Sequence, residues 1–331
     1  MNRSANALPR RQAAALLLGL AAIAAAPAVL AAFPEKPITL VVPYPPGGAA
    51  DTLGRITARH LQLQLPGSTV VVENKAGAGT VVGAQLVANA APDGYTLLTS
   101  SNTTWTMNPA LKPKLPYDTL KSYESLGTIG VLPLMLVAHP GLPAQNIKEL
   151  VALAKAQPGK LNYASFGNGT SSHFAGEMFK AAAGVDLVHV PFNGSAPAMQ
   201  NLMGGQVPLS FDTTVASVPQ VKAGKIKALA VTTARRVSGL PEVPTMAEAG
   251  LPGYELSAWV SVVAPRGLPD AVRATLVKAM AAALATPAMQ AELVKAGLEV
   301  GYEPPEAFEQ RVNRELPLMR TIVQKANITV D

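Results

Sequence analysis

Past its first thirty-two residues, the chain alternates short β-branched and aliphatic runs with stretches whose apolar positions recur every three or four residues. This is the pattern of parallel α/β units, in which each strand is followed by a returning helix. Ile38-Thr39-Leu40-Val41-Val42 predicts a buried strand, stopped by Pro43-Tyr44-Pro45-Pro46-Gly47-Gly48. A helix is expected from Asp51 to about residue 63, with Asp51 as its cap and Leu53, Ile56 and Leu63 on one face. Strands at 69–73 and 95–99 flank a helix at 80–90, and residues 100–104 read as a polar loop.

A second set of units starts after Gly141-Leu142-Pro143, with a helix at 146–157 and a strand at 161–165. The loop Phe166-Gly167-Asn168-Gly169-Thr170-Ser171-Ser172 opens a helix reaching residue 183. A strand at 185–190 leads through Phe192-Asn193-Gly194-Ser195-Ala196-Pro197 into a helix ending near Gly204-Gly205. Strands at 207–211 and 226–231 complete the group. The tail is helical at 269–285, 287–296 and 304–325, each helix with a proline at or near its start.

Two long, extended, apolar stretches, 126–139 and 254–265, interrupt this rhythm and suit crossings between domains. A chain of 331 residues also exceeds what one hydrophobic core usually organises. The expected division is therefore a discontinuous first domain, 33–131 plus 256–331, and an inserted second domain, 132–255.

The N-terminus changes the reading of charge. A basic start with Arg10-Arg11, an apolar stretch over 13–28 and the small-residue run Ala28-Val29-Leu30-Ala31-Ala32 form a signal peptide over 1–32, cleaved near Ala31 or Ala32. Removing Arg3, Arg10 and Arg11 reduces the formal charge from +6 to +3. No Lys/Arg cluster interleaved with aromatics remains, so no nucleic-acid partner is expected. No later run is apolar for eighteen residues, which predicts a soluble exported protein. The absence of cysteine removes disulfides, thiolate metal sites, cysteine nucleophiles and lipoprotein attachment.

Four loops follow strands and start helices: 44–51, 77–83, 167–173 and 192–197. They are rich in glycine and hydroxyls, and Lys75, at a strand end, is their only cation. The first N–H groups of a helix lack partners and its dipole is positive there, so such junctions favour an anion. Thr170, Ser171, Ser172 and Ser195 would then hold a carboxylate together with backbone N–H groups, without a bidentate arginine. Tight turns alone also explain any one of these glycine runs.

Other chemistry finds little support. Gly77-Ala78-Gly79-Thr80-Val81-Val82-Gly83 has the wrong spacing for a dinucleotide fingerprint, and Thr99-Ser100 stands where a ribose-binding acid would be needed. No phosphate-loop or H-E-x-x-H motif occurs, so neither cofactor nor metal is expected. Hydrolysis would need Ser171 or Ser172 activated by His173, but adjacency in sequence does not create triad geometry. Asp51 reads as a helix cap, while Asp212 suits either a cap or a contact that reads a ligand donor. Trp105, Phe166 and Phe192 lie in or beside the loops, where packing is their default role.

The chain resembles the Bug-type solute receptors of tripartite tricarboxylate transporters. The resemblance rests on Phe33-Pro34-Glu35-Lys36-Pro37-Ile38, Pro43-Tyr44-Pro45-Pro46-Gly47-Gly48-Ala49-Ala50-Asp51, Pro92-Asp93-Gly94-Tyr95-Thr96 and Leu115-Pro116-Tyr117-Asp118. It continues through Gly167-Asn168-Gly169-Thr170-Ser171-Ser172-His173, Val190-Pro191-Phe192-Asn193-Gly194-Ser195-Ala196-Pro197-Ala198, Leu202-Met203-Gly204-Gly205-Gln206-Val207 and Pro241-Glu242-Val243-Pro244-Thr245. It covers essentially the whole mature chain in order.

The resemblance implies a two-domain, type II-like periplasmic binding protein, each domain a mainly parallel α/β sheet flanked by helices and joined by two crossing strands. It further implies a monomeric, non-enzymatic receptor that closes on a small organic acid and presents it to membrane permease subunits. Carried over by position, the ligand contacts would be Tyr44, Gly47, Gly48, Ala49 and Asp51 in the first loop. Gly167, Thr170, Ser171, Ser172, His173, Phe192, Asn193, Gly194, Ser195 and Asp212 would supply those of the second domain, with Asn102 from the polar loop. Family members often carry Tyr-Lys-Gly where this chain has Phe192-Asn193-Gly194, and a glycine where it has Thr80. The pocket is accordingly expected to suit a second, distal carboxylate poorly and to tolerate neutral or aromatic ligands. Two other functions share these features, a secreted serine hydrolase and a ligand-binding partner of a sensor kinase.

Overall fold

The structure, a computed structural model, describes residues 33–329. The signal peptide expected over 1–32 lies outside the described residues. Strand β1 (Ile38–Val42), apolar but for the half-buried Thr39, is covered on both faces and pairs in parallel with β2 (Val70–Asn74) and β3 (Thr96–Ser101). Helix α1 (Ala49–Gln64) connects β1 to β2, and α2 (Val81–Ala88) connects β2 to β3. On α1, Leu53 and Ile56 are buried, but Leu63 is 68% exposed. Ten residues beyond Leu53, it has rotated about 80° off the apolar face, which Thr57, His60 and Leu61 continue instead.

The segment expected to be a polar loop is ordered secondary structure. Ser100 and Ser101 end β3, and Thr103–Met107 form a wide π-helical turn running into the short helix α3 (Asn108–Leu111). Burial of Trp105 drives this: its ring packs edge-on against Tyr123 and Phe308, and its N–H donates to the Ser100 carbonyl. The threonine hydroxyls are absorbed in the turn, for example Thr106 donating to the Asn102 carbonyl.

The two extended stretches are the long strand β4 (Tyr123–Ala138) and β9 (Ser257–Pro265). Between them come α4 (Ile147–Ala156), β5 (Asn162–Ser165), α5 (Ser171–Ala183), β6 (Val188–Pro191), α6 (Ser195–Met203), β7 (Leu209–Thr213), α7 (Thr214–Lys222) and β8 (Lys227–Val231). The chain ends with α8 (Asp270–Ala285), α9 (Pro287–Lys295), β10 (Glu299–Glu303) and α10 (Pro305–Lys325).

β4 joins two sets of strands. Its first part, Tyr123 to Pro133, pairs antiparallel with β9, which in turn borders β3. From Leu134 onward its partners are β7 and β8, also antiparallel. The change falls at Pro133, which has no N–H to give a ladder. The second set continues β7-β5-β6 in parallel, so the α/β units pair in parallel as expected and the crossing strands add the antiparallel bonds. β10 lies across the bulged part of β4; a Cβ on Gly130 there would sit 2.4 Å from the Glu299 carbonyl, so only glycine fits.

Apolar packing follows the two strand sets. Val41, Leu98, Trp105, Tyr123, Trp259 and Phe308 cluster in the first. Leu136, Tyr163, Phe174, Phe179 and Phe211 cluster in the second, together with Met319 and Ile328 from α10 and the residues after it. The C-terminal helix therefore contributes to the second core although its sequence follows the return crossing.

Candidate functional site

Three strand-to-helix junctions and the end of β3 meet in one cleft. The turn after β1 brings Tyr44, Gly48 and Ala49; the loop after β5 brings Phe166 and Ser171; the loop after β6 brings Gly194, Ser195 and Ala196. Thr99, Ser100 and Ser101 line one wall, Thr213 another, and Leu53, Leu132, Ala258 and Val260 form an apolar floor. No charged side chain belongs to this lining among the described residues. The cleft stands at the first turns of α1, α5 and α6, and none of these helices has a side-chain N-cap bond. By contrast, Asn146, Thr213 and Thr286 cap α4, α7 and α9 with side-chain oxygens. The ends of α1 and α6 leave N–H groups for an anion, and all three ends present a positive dipole, although the Ser171 N–H of α5 is taken by Thr103.

The facing loops approach closely at glycines. A Cβ on Gly48 would lie 3.7 Å from the Ala196 nitrogen, and one on Gly194 would lie 3.0 Å from Pro45. The Tyr44 ring meets Phe166 edge-on at 6.2 Å between centroids. The Ser171 N–H donates to Thr103 Oγ1 at 3.2 Å, tying α5 to the turn after β3.

Of the residues singled out in the sequence, Tyr44, Gly48, Ala49, Ser171, Gly194 and Ser195 line this cleft, and the others stand elsewhere. Asp51 is buried under the first loop, where its carboxylate accepts from the Gly47 N–H, Arg55 and Asn74, each at 3.0 Å. Burial pushes its carboxyl up, but the bonds from Arg55, Gly47 and Asn74 outweigh it and hold the group below the ordinary carboxylate value. Asp51 and Gly47 thus shape the turn. Asn102 does not belong to the lining of the cleft and donates to the Ser257 carbonyl at 3.0 Å. Thr170 is spent on the Gly167 carbonyl at 2.7 Å, and Ser172 donates to the Phe211 carbonyl.

Gly167, Phe192 and Asn193 line a second cavity beyond the Tyr44–Phe166 pair, with Gly77, Thr80 and Lys112 opposite. His173 belongs to a third cavity behind the cleft, with Glu177, Lys180, His189 and Lys325. Its Nδ1 accepts from the Gly169 N–H at 3.1 Å, and its ring stacks on His189 at 4.0 Å. With Ser172 and His173 each bonded elsewhere, the geometry contains no Ser–His pair at 171–173.

Asp212 lies fully buried beneath Ser195. Its Oδ1 accepts from the Ser195 hydroxyl at 2.6 Å and the Thr213 N–H at 2.7 Å, while Oδ2 has no partner. Burial pushes its carboxyl up to about 7, against the lowering effect of the Ser195 and Thr213 bonds. Burial likewise pulls His173 down to about 4, helped by Lys180, and His189 to about 3, helped by His173.

Sequence reasoning missed the hydroxyl wall of β3 and the position of Lys112. One signal was available for the lysine: Thr104, Asn108 and Lys112 recur every four residues. All three donate to the second glycine-rich loop, to Thr80 Oγ1, the Gly79 carbonyl and the Ala78 carbonyl. Once the segment is helical, that spacing puts them on one face. Lys112 thereby brings a cation to the cavity that Asn193 also lines.

Comparison with known proteins agrees with this architecture. The family model of the tripartite tricarboxylate transporter family receptor, TctC, matches residues 53–328. The UPF0065 protein in the tcbD-tcbE intergenic region of Pseudomonas sp. (strain P51) is 38% identical over 305 residues, 92% of this chain and 90% of that protein. The periplasmic binding protein BugD superposes with a TM-score of 0.86 at 38% identity, covering 90% of this chain and 99% of BugD. R. palustris Rpa4515 with adipate superposes at 0.86 and 33% identity, covering 90% of this chain and 99% of that one. MatC from Rhodopseudomonas palustris with bound malate gives 0.83 and 34%, covering 88% and 100%. The chain therefore shares its α/β fold with these proteins and belongs to the Bug-type, TctC family of periplasmic solute receptors.

Proposed function

We propose that the protein binds one small organic carboxylate in this cleft and delivers it to the membrane subunits of a tripartite tricarboxylate-type transporter. The observation that carries the reading is the uncharged cleft at three helix N-termini without side-chain caps. Backbone N–H groups can hold an anion there, and bridging water extends their reach. Adipate and malate in the two similar structures support a carboxylate ligand. In this reading residues 33–131 plus 256–331 form one lobe and 132–255 the other. The lobes shut around the ligand, which stabilises the closed state by its differential affinity. The receptor acts after export and cleavage near Ala31 or Ala32, as a monomer and without catalysis.

Asn193 withholds the positive charge that many relatives carry in the loop, but Lys112 stands across the same cavity. Acids of one, two and three carboxylates therefore all belong in the test. In a thermal-shift series of mono-, di- and tricarboxylates, aromatic acids and amino acids, a binder at a hundred times its Kd stabilises the fold by about 2.7 kcal/mol. Absence of any shift across the series would overturn the proposal.

A further inference from the structure

Hydrogen bonds around the cleft fix the donor capacity of two of its hydroxyls, Ser195 and Ser100. Ser195 has a single proton, and it goes to Asp212 Oδ1 at 2.6 Å. The same oxygen accepts from the Thr213 N–H, so Oδ1 is the accepting oxygen whether or not a proton sits on Oδ2. Ser195, a lining residue of the cleft, can therefore offer a ligand only the lone pairs of its Oγ. Ser100, on the opposite wall, is committed in the same way: Thr104 gives its proton to Thr80 Oγ1 at 2.8 Å, so the 2.6 Å contact between Ser100 and Thr104 uses the Ser100 proton. Thr99 Oγ1, in contrast, is buried at the cleft without a partner and remains able to donate.

The cleft is therefore polarised. Ser195 is also the first residue of α6, where the N–H groups of the opening turn have no intrahelical acceptor. One residue thus places amide donors beside an acceptor-only hydroxyl. A carboxylate matches the amides, and an O–H or N–H on the neighbouring carbon matches the hydroxyl. A plain aliphatic acid leaves Ser195 Oγ facing a C–H, with its water displaced and unreplaced.

Resting on the carboxylate reading above, we propose that Ser195, positioned by Asp212, selects carboxylates that carry a hydrogen-bond donor on the adjacent carbon over analogues that lack it. Asp212 is a positioning residue, since it touches Ser195 and the Thr213 backbone and does not line the cleft.

The test is calorimetry of the mature full-length receptor with matched pairs, lactate against propionate and malate against succinate. The donor-bearing member of a pair that binds should do so at least about tenfold more tightly. Ser195→Ala should bring the two within about threefold by weakening the donor-bearing acid and leaving the plain one unchanged. Asp212→Ala, which frees the Ser195 hydroxyl to rotate, should also collapse the ratio, whereas Asp212→Asn keeps an accepting oxygen and should preserve it. A merely structural role would weaken both members equally and leave the ratio intact. Equal binding of paired acids by the unmodified protein, or a ratio that survives Ser195→Ala, overturns the inference while the carboxylate reading stands. Failure of every acid in the wider series to bind overturns both. The comparison within pairs needs no variant, so it holds even where a substitution prevents folding.

Discussion

At the scale of single residues, Asp51, in the first turn of α1, and Asp212, near the end of β7, are divided by their surroundings. Asp51 has Arg55 and Asn74 beside it, and its ionised form is stabilised. Asp212 has neutral donors and complete burial, which favour its protonated form. A carboxyl whose folded value lies near 7 instead of 3.8 binds more protons in the native state between those values. Its contribution to stability is full below about pH 3.8 and is lost as pH rises through 7. Asp212→Asn, which carries no titration, should therefore gain on the unmodified protein as pH rises. Urea denaturation at pH 4.5 and pH 8 measures the difference, and a constant gap between the two curves would refute the assignment.

Elements were legible where apolar pattern and local chemistry agree. The parallel strands β1 and β3 and helices α1, α4, α5 and α8 stand close to their expected places, because continuous apolar runs and three-to-four-residue periods have few alternatives. Helix α7 escaped notice because Pro219 interrupts a short segment in which polar and apolar residues alternate without a clear helical face. β10 escaped because its sequence, Glu-Val-Gly-Tyr-Glu, is mostly exposed and gains its place only from the bulged stretch of β4. Among site residues, the junction glycines were visible, whereas the Thr99–Ser101 wall depends on Trp105 burying itself and converting a polar loop into strand and helix.

The same scale carries a pH prediction for the loop before α5. His189 lies between Tyr163, at 5.0 Å, and His173, at 4.0 Å, and Ser165 bonds its Nε2 at 2.6 Å. Glu177 and Lys180 face the pair from α5 and Lys325 from the C-terminal end of α10, while Tyr163 donates to Glu177 from β5. Both histidines have folded values below 6.5, so the unfolded chain binds more protons under acid conditions. Their contribution is intact above about pH 6.5 and is lost as pH falls toward 4 and 3. For His173 alone the loss approaches roughly 3 kcal/mol. His189→Phe preserves an aromatic ring in the stack and removes one titration, so it should shallow the fall in melting temperature between pH 6.5 and 4. The Gly169 N–H rests on His173, which links this stack to the loop bearing Phe166 and Ser171. An unchanged acid limb in the variant would assign the acid sensitivity to other groups.

For the whole molecule, the long strands matter because β4 belongs to both strand sets and changes partners at one proline. In the proposed closure the facing loops would move as bodies about these two strands, and Gly48 and Gly194 stand where they meet. Gly48 is the informative position. Its φ of −89° suits any residue, so a side chain there adds no backbone strain. A lone Cβ would make ordinary contact with Ala196 and Ser195, at 3.7 and 3.8 Å, and Gly48→Ala should bind ligand nearly normally. The branched methyls of Gly48→Val would extend beyond that Cβ toward the first turn of α6, and in the proposed closure they are expected to collide with it. With the lobes apart they would face solvent at little cost. Gly48→Val should therefore melt within a few degrees of the unmodified protein when ligand is absent, yet bind its acid at least about tenfold more weakly, since affinity is reduced by the fraction of molecules able to close. Small-angle scattering supplies the independent measurement: ligand should shrink the radius of gyration of the unmodified protein and of Gly48→Ala, but not of Gly48→Val. Equal compaction of all three by ligand would mean that closure does not pass through the Gly48–Ser195 contact, and would place the moving parts elsewhere in the sheet.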